Sequence, residues 1–166
     1  MKVCSLASGS TGNCTYVESD DEKFLVDFGL SLRETKKRLS NLGKNISEID
    51  AVFITHEHTD HVKGLESFGR HNNIPIYMNR PTYESLDIDI PTPDFFTDNK
   101  IKLKNSNITP VSISHDAADP SGFKIQNNGT TLGIFTDFGK PNNEIKEIVK
   151  NADCLVLETN HDIDML

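Results

Sequence analysis

The hydrophobic pattern along the chain predicts many short strands with a few helices between them. Short apolar runs are each closed by polar turn residues, which is typical of strands. The runs predict strands at Val3–Ala7, Cys14–Glu18, Lys23–Asp27, Ala51–Thr55, Ile74–Met78, Ile101–Leu103, Asn107–Ser114, Gly122–Gln126, Thr130–Thr136 and Cys154–Glu158. Strands followed by interleaved helices and then by further strands indicate a layered α/β or α+β architecture.

The first predicted helix runs from about Leu32 to Leu42. Ser31 and Glu34 form a capping-box pair at its start, and Gly43 stands where a helix commonly ends. We interpret the basic residues of this helix as a solvated face rather than as a phosphate-binding surface. Further helices are predicted after His61 and after Pro141.

The segment Phe24–Gly29 is echoed by the segment Ile134–Gly139. Each is an apolar strand that ends in a carboxylate, Asp27 or Asp137, at a glycine turn. The sequence leaves two interpretations of this similarity open. It is either a coincidence of strand-exit chemistry, or it marks two similar half-units that each deliver an aspartate to a shared edge.

Length and composition indicate one globular domain over residues 1–166. The chain is 36% hydrophobic and 25% charged, which excludes a disordered or fibrous protein. Its apolar runs are far shorter than the ~20 residues that cross a bilayer, and Met1–Ser5 has no apolar signal-peptide core. Three cysteines without a C-x-x-C pair are expected to be reduced thiols. We therefore expect a cytoplasmic protein without a membrane partner.

The formal net charge of −8 limits the kinds of partner that the chain can attract. Such acidity argues against broad electrostatic attraction to nucleic acid. It does not exclude a nucleic-acid enzyme whose site is made positive by bound metal ions.

Three histidines fall within the segment Thr55–His61, which reads Thr-His-Glu-His-Thr-Asp-His. The segment follows a strand that is apolar throughout, which is typical of a strand buried on both faces. In extended backbone at the strand exit, His56 and His58 point the same way and can chelate one metal ion. Asp60 and His61 then point toward a second ion. Imidazole with carboxylate suits zinc, manganese or iron, and the absence of cysteine ligands argues against a closed structural zinc site.

Three later residues are candidates for the same site because each follows an apolar strand. We interpret His115 as a further metal ligand and Asp137 as a carboxylate that can bridge two ions. His161 is interpreted as a pocket residue. By contrast, His71 is predicted to lie at an exposed helix end, outside the site.

Together these motifs resemble the metallo-β-lactamase-fold hydrolases. That family shares the order Thr-His-x-His-x-Asp-His, then a lone histidine, then a strand-end aspartate. The finer match is to its YycJ/WalJ (VicX) branch, carried by the segments Ser8–Cys14, Thr55–Leu65, Ser114–Pro120 and Glu158–Leu166. The resemblance implies an αββα sandwich with a dinuclear metal site at one edge of the two sheets. It also implies a phosphodiesterase, with 5′-to-3′ exonuclease activity on double-stranded DNA in this branch.

The resemblance also assigns roles to single residues. The implied metal ligands are His56, His58 and His115 for the first ion, Asp60 and His61 for the second, and Asp137 as a bridge. Asp27 would orient the histidine segment, and Asp60 would also orient an attacking hydroxide. The implied cofactors are two Zn²⁺ or Mn²⁺ ions, and the implied partner is DNA or another phosphodiester substrate. The loop Ser8–Asn13 resembles the family's early glycine turn, and is by itself weak evidence for phosphate binding because a strand follows it.

The sequence departs from the family pattern near its end. The pattern includes late histidines, one for the second metal ion and one near the scissile phosphate, but no histidine follows His161. We therefore expect a sandwich that is incomplete at its C-terminus, a weak second metal site and a catalytic role for His161. Two alternatives stay open. One is a thioester or lactone hydrolase on the same site, against which Val62-Lys63-Gly64 argues mildly, and the other is a truncated metal-binding remnant without turnover.

Overall fold

The computed structural model describes residues 1–91, 93–96 and 100–158. Each predicted strand recurs with bounds that differ by at most two residues. One sheet contains β1 Lys2–Ala7, β2 Cys14–Ser19, β3 Glu22–Val26, β4 Ala51–Phe53, β5 Ile76–Met78 and β6 Pro93–Phe95. The other contains β7 Ile101–Lys102, β8 Asn107–Ser112, β9 Ser121–Asn127, β10 Thr130–Phe135 and β11 Cys154–Leu157.

Both sheets mix antiparallel and parallel pairs. The first has the order β1-β2-β3-β4-β5-β6, antiparallel from β1 to β3 and parallel from β3 to β6. The second has the order β11-β10-β9-β8-β7 and is antiparallel except for the pair β10–β11. Parallel neighbours end at the same edge of a sheet, so the loops after β3 and β4 leave the first sheet side by side.

Alternation along the strands divides the core into layers. Side chains that face inward between the sheets, such as Phe24 and Phe123, form one buried cluster. Their neighbours along the strands, such as Leu25 and Val52, face the opposite way and pack beneath the helices of the first sheet. A third cluster joins the second sheet to a helix at Asn143–Asn151. The layers therefore run helix, sheet, sheet, helix, which confirms the expected αββα sandwich.

The helices are α1 Leu32–Asn41, α2 Thr59–Val62, α3 Leu65–His71, α4 Arg80–Glu84 and α5 Asn143–Asn151, with a 3-10 turn at Ile46–Glu48. Ser31 caps α1 as predicted by accepting the N–H of Glu34, but the Glu34 carboxylate pairs with Arg38. Gly43 follows the helix at a φ of 69°. The single helix predicted after His61 is instead two helices, because α2 already contains His61 and α3 follows it.

Three short elements were not predicted, namely α4, β6 and the 3-10 turn at Ile46–Glu48. Asn79 caps α4 by accepting the N–H of Thr82, and Pro81 lies in its first turn. β6 extends the parallel part of the first sheet by three residues that begin with Pro93. Within the described residues, no helix is long and apolar enough to cross a membrane.

Candidate metal centre

The candidate site lies where loops from both sheets meet. The chain leaves β4 toward His58, which precedes α2 in extended backbone. The loop after β8 carries His115, and the loop after β10 carries Asp137. The backbone joins the two sheets beside this point, because the N–H of Ser121 donates to the carbonyl of Thr55 at 3.0 Å.

Gly29 lets the loop after β3 touch the histidine segment. A Cβ atom at this position would lie 1.6 Å from the carbonyl oxygen of Asp60, so only glycine fits. Next to it, the N–H of Phe28 donates to the carbonyl of His61 at 2.7 Å. The loop and the segment are therefore packed backbone against backbone.

Both carboxylates of the near-repeat leave their strands in left-handed backbone. Asp27 has a φ of 63° and Asp137 a φ of 52°. Aspartate and asparagine tolerate this conformation better than most other residues, because their short side chains can hydrogen-bond locally. Both side chains reach the ring of His61, so the geometry favours the interpretation in which two strands deliver aspartates to a shared edge.

The first group of candidate ligands consists of His56, His58 and His115. Nδ1 of His58 lies 3.2 Å from Nε2 of His115, and the ring centroid of His56 lies 4.6 Å and 4.7 Å from theirs. One ring nitrogen from each residue lies within 4.8 Å of the others. Three converging imidazoles of this kind can hold one divalent cation.

The second group consists of His56, His61 and Asp137, again with ligand atoms within 4.8 Å of one another. Oδ2 of Asp137 lies 2.7 Å from Nε2 of His61 and 4.0 Å from Nε2 of His56. His56 therefore belongs to both groups. Asp60, which the sequence placed on the second ion, lies at the rim of the site, with Oδ2 at 3.5 Å from Nε2 of His61.

Thr55 and Asp27 orient both buried histidines. The Thr55 hydroxyl donates to Oδ1 of Asp27 at 2.9 Å and can accept the Nδ1–H of His56, also at 2.9 Å. That arrangement leaves Nε2 of His56 with a free lone pair. In the described structure this Nε2 is buried and has no hydrogen-bond partner. Because a buried polar atom is normally satisfied, an orphaned imidazole nitrogen among further ligand groups fits a metal ion.

The two buried histidines, His56 and His61, differ in their pKa. Burial, aided by the neighbouring imidazoles, lowers the pKa of His56 to about 3, so its ring is neutral at pH 7. Burial also acts to lower the pKa of His61, but the carboxylates of Asp27 and Asp137 outweigh it and raise that pKa to about 10. The two carboxylates concentrate negative charge around this ring, and a cation bound at Nε2 would take the place of the proton there.

Glu158, the residue after β11, holds the backbone of Asp137 in place. Its Oε2 accepts the N–H of Asp137 at 2.7 Å. Burial, together with the neighbouring Asp137 carboxylate, raises the pKa of Glu158. Burial opposes ionisation of Asp137, but its contact with His61 holds the pKa of Asp137 well below its ordinary range. Asp137 is therefore a fixed, ionised carboxylate.

The structure brings most of the predicted site residues together, namely His56, His58, His61, His115 and Asp137. Asp27 lies behind them, and Asp60 lies at the rim. His161 falls outside the described residues, so its catalytic role stays a prediction. His71 is exposed at the end of α3, as expected.

Sequence reasoning did not find three side chains that support the site. One is Thr55, and the second is Asn13, which donates from Nδ2 to Oδ2 of Asp60 at 2.9 Å. The third is Glu57, whose Oε1 accepts the N–H of Ala118 at 2.8 Å and so ties the histidine segment to the loop after His115. The only signal for them in the sequence was their position inside the segments Ser8–Cys14 and Thr55–Leu65.

A family model for the beta-lactamase superfamily domain matches residues 22–165. Two curated relatives are similar along almost the whole chain. Exodeoxyribonuclease YycJ from Bacillus anthracis is 37% identical over 167 residues, which is 97% of this chain and 63% of that protein. Exodeoxyribonuclease WalJ from Streptococcus pneumoniae is 32% identical over 174 residues, which is 100% of this chain and 65% of that protein. The chain thus spans somewhat less than two thirds of the length of these relatives.

Solved structures with little sequence similarity share the fold. A metallo-β-lactamase with the HARLDQ motif from Cronobacter sakazakii superposes with a TM-score of 0.71 at 12% identity, over 93% of this chain and 76% of that one. At this identity the likeness concerns the arrangement of sheets and helices alone.

Proposed function

The chain belongs to the β-lactamase superfamily and to its YycJ/WalJ branch, and we propose that it is a metal-dependent nuclease that hydrolyses DNA. The two curated relatives are named exodeoxyribonucleases. The observation that carries the proposal is the position of His56, which belongs to both groups of candidate ligands and whose buried Nε2 has no hydrogen-bond partner in the described structure. Two adjacent cation sites suit in-line displacement at a phosphodiester bond.

The proposed cofactors are two divalent cations, Zn²⁺ or Mn²⁺. The proposed ligands are His56, His58 and His115 for one ion, Asp60 and His61 for the other, and Asp137 between them. Bound there, the cations would lower the pKa of an attacking water and offset the negative charge that develops on the phosphoryl oxygens.

The chain's own residues then position the reaction. Asp60 is the proposed catalytic carboxylate, because its side chain is 29% exposed at the rim and can orient the attacking water. Thr55 and Asp27 keep the ligand nitrogens of His56 and His61 turned toward the site. His161 is proposed as a second catalytic residue, a role supported only by its position after the predicted strand Cys154–Glu158.

The proposed substrate is duplex DNA, digested from 5′ to 3′. Because the chain carries a net charge of −8, we attribute the attraction for phosphate to the bound cations rather than to the general surface. We further propose that the protein acts in the cytoplasm, as the reduced cysteines expected from the sequence suggest.

A substrate panel with Mn²⁺ or Zn²⁺ tests the proposal. The panel contains 5′-labelled duplex DNA, bis-p-nitrophenyl phosphate and a thioester, each with an EDTA control. We expect metal-dependent hydrolysis of the first two and no cleavage of the thioester. An intact duplex alongside a cleaved thioester would overturn the proposal in favour of another hydrolase on the same site. No turnover of any substrate would favour a metal-binding remnant.

A matched pair of variants locates the activity. We expect Asp60→Ala to abolish metal-dependent hydrolysis of both phosphodiesters while the chain stays folded. His71→Ala is the control, because His71 is exposed and its Nδ1 contacts only the carbonyl of Ser67 in the described structure. Unchanged turnover in purified Asp60→Ala would remove Asp60 from the mechanism.

A further inference from the structure

The glycine-rich segment Ser8–Asn13 reaches the candidate metal centre through its last residue. Nδ2 of Asn13 donates a hydrogen bond to Oδ2 of Asp60 at 2.9 Å and lies 3.0 Å from Nε2 of His61. One amide group therefore contacts both residues proposed for the second ion.

The orientation of this amide is determined by the segment itself. The N–H of Gly9 donates to Oδ1 of Asn13 at 3.0 Å, so the oxygen faces the segment and the nitrogen faces the site. Gly9 has a φ of 131°, which favours glycine, and its carbonyl accepts the N–H of Gly12 at 2.9 Å. The glycines thus shape a turn that directs the side-chain amide of Asn13 toward the site.

The backbone of Asn13 is fixed on both sides. Its N–H donates to the carbonyl of Asp60 at 2.7 Å, and its carbonyl accepts the N–H of Gly29 at 2.8 Å. The segment Ser8–Asn13, the loop after β3 and the histidine segment are consequently one connected unit. Asn13 cannot move away from Asp60 without breaking these bonds.

We propose that Asn13 is a positioning residue of the second metal site, where its amide holds the Asp60 carboxylate beside His61 so that both side chains face one cation. The inference rests on the proposed function, because it requires that second site. Within the described residues, Asn13 is the hydrogen-bond partner of the Asp60 side chain. Asp60 is partly exposed, so without this charge-assisted bond its carboxylate is free to rotate into solvent.

Stepwise titration of Zn²⁺ into the metal-free chain tests the role of Asn13. For Asn13→Ala we expect an unchanged first step, because none of the hydrogen bonds that Asn13 makes in the described structure reaches the first group. We expect a second step weakened roughly 10- to 100-fold. The matched control is Asn45→Ala. It removes hydrogen bonds at the 3-10 turn that precedes β4, whereas the site follows β4. Both binding steps of this control should equal those of the wild type.

A second variant separates positioning from general support of the fold. Asn13→Asp keeps an acceptor for the N–H of Gly9 but replaces the donor that faces Asp60 with a negative oxygen. We expect its second step to weaken as well, because the new oxygen repels the Asp60 carboxylate that the amide holds in the wild type, while the first step stays unchanged. A purely structural Asn13 would instead weaken both steps and lower the melting temperature in both variants.

The outcomes distinguish this inference from the proposed function. If the wild type binds two ions and both Asn13 variants titrate like it, the inference is overturned while the metal site stands. If the wild type binds no second ion, the two-metal site and this inference both fail. Weakening of the second step alone, in both variants, would support a direct positioning role.

Discussion

Asp27 and Asp137 contact opposite nitrogens of one imidazole ring, that of His61. Oδ2 of Asp27 lies 2.8 Å from Nδ1, and Oδ2 of Asp137 lies 2.7 Å from Nε2. The first aspartate follows a strand of one sheet and the second follows a strand of the other. His61 therefore links the two halves of the sandwich. Its two contacts have different roles. Asp27 fixes the ring, and Asp137 faces the side that is proposed to bind metal.

Removing the charge of Asp27 should impair the second metal site. Asp27→Asn keeps a residue that tolerates a φ of 63°, but its amide N–H groups would face the Nδ1–H of His61. We expect second-site affinity to fall roughly 10- to 100-fold and the free energy of unfolding to fall by about 1–3 kcal/mol. Metal titration and urea unfolding measure the two effects.

Asp20→Asn is the control for that substitution. Asp20 also has left-handed backbone, with a φ of 48°, but it is exposed and pairs with Asn128 far from the histidines. We expect this variant to match the wild type in both measurements. Equal losses in the two variants would show that the effect comes from the backbone conformation rather than from the Asp27–His61 contact.

Glycine at position 29 should be required for the histidine segment to pack. In Gly29→Ala the new methyl group would overlap the carbonyl oxygen of Asp60. We expect the free energy of unfolding to fall by about 3 kcal/mol or more, because backbone must move to make room. Gly69→Ala is the control. Gly69 lies within α3, and its new methyl group would approach neighbouring side chains no closer than 3.5 Å. That variant should be neutral or more stable by up to about 1 kcal/mol.

His58 should be needed for the first metal ion but not for the fold. It is half-buried, and in the described structure its ring contacts those of His56 and His115. We expect His58→Ala to reduce first-site affinity by more than the roughly 10- to 100-fold typical of losing an outer partner. The circular dichroism spectrum should stay unchanged. Retention of full metal content by the purified variant would remove His58 from the ligand set.

Glu18, which lies outside the candidate metal centre, should make the free energy of unfolding depend on pH. Hydrogen bonds from Lys44 and Tyr16 lower the pKa of Glu18 to about 2. A pKa depressed in the folded state gives stability that is present above the ordinary pKa of 4.5 and is lost as the pH falls toward 2. We expect Glu18→Gln to cost about 1 kcal/mol at pH 7, since surface screening limits the pair, and nothing near pH 2.

Urea unfolding at several pH values measures this dependence. The control is Glu147→Gln, because Glu147 pairs with Lys150 on an exposed face of α5. Its stability difference from the wild type should stay within about 0.5 kcal/mol at every pH. A Glu18→Gln difference that persists unchanged at pH 2.5 would contradict the assigned cause.

The strands and the histidine segment were predictable because their signals are local. Apolar runs closed by turn residues marked each strand, and spacing within seven consecutive residues marked His56, His58 and His61. His115 and Asp137 were found by a topological rule, since strand ends collect at a sheet edge. By contrast, α4 and β6 are too short for periodicity to reveal, although Asn79 and Pro81 supplied a start signal.

The supporting contacts of the site could not be read from the sequence because they depend on closure of distant loops. Asn13 contacts Asp60 at the place where the loop following β3 packs at Gly29. Asp60 itself lies at the rim rather than within either ligand group. Local spacing predicted which residues approach the site, whereas their distances to one another depend on how the two sheets stack.

Metal content of the purified, monodisperse chain tests the central claim most directly. The proposed nuclease needs both ligand groups, so elemental analysis after loading with Zn²⁺ or Mn²⁺ should give about two ions per chain. The His58→Ala variant should contain fewer. One ion or none in the fully loaded wild type would contradict the two-metal mechanism.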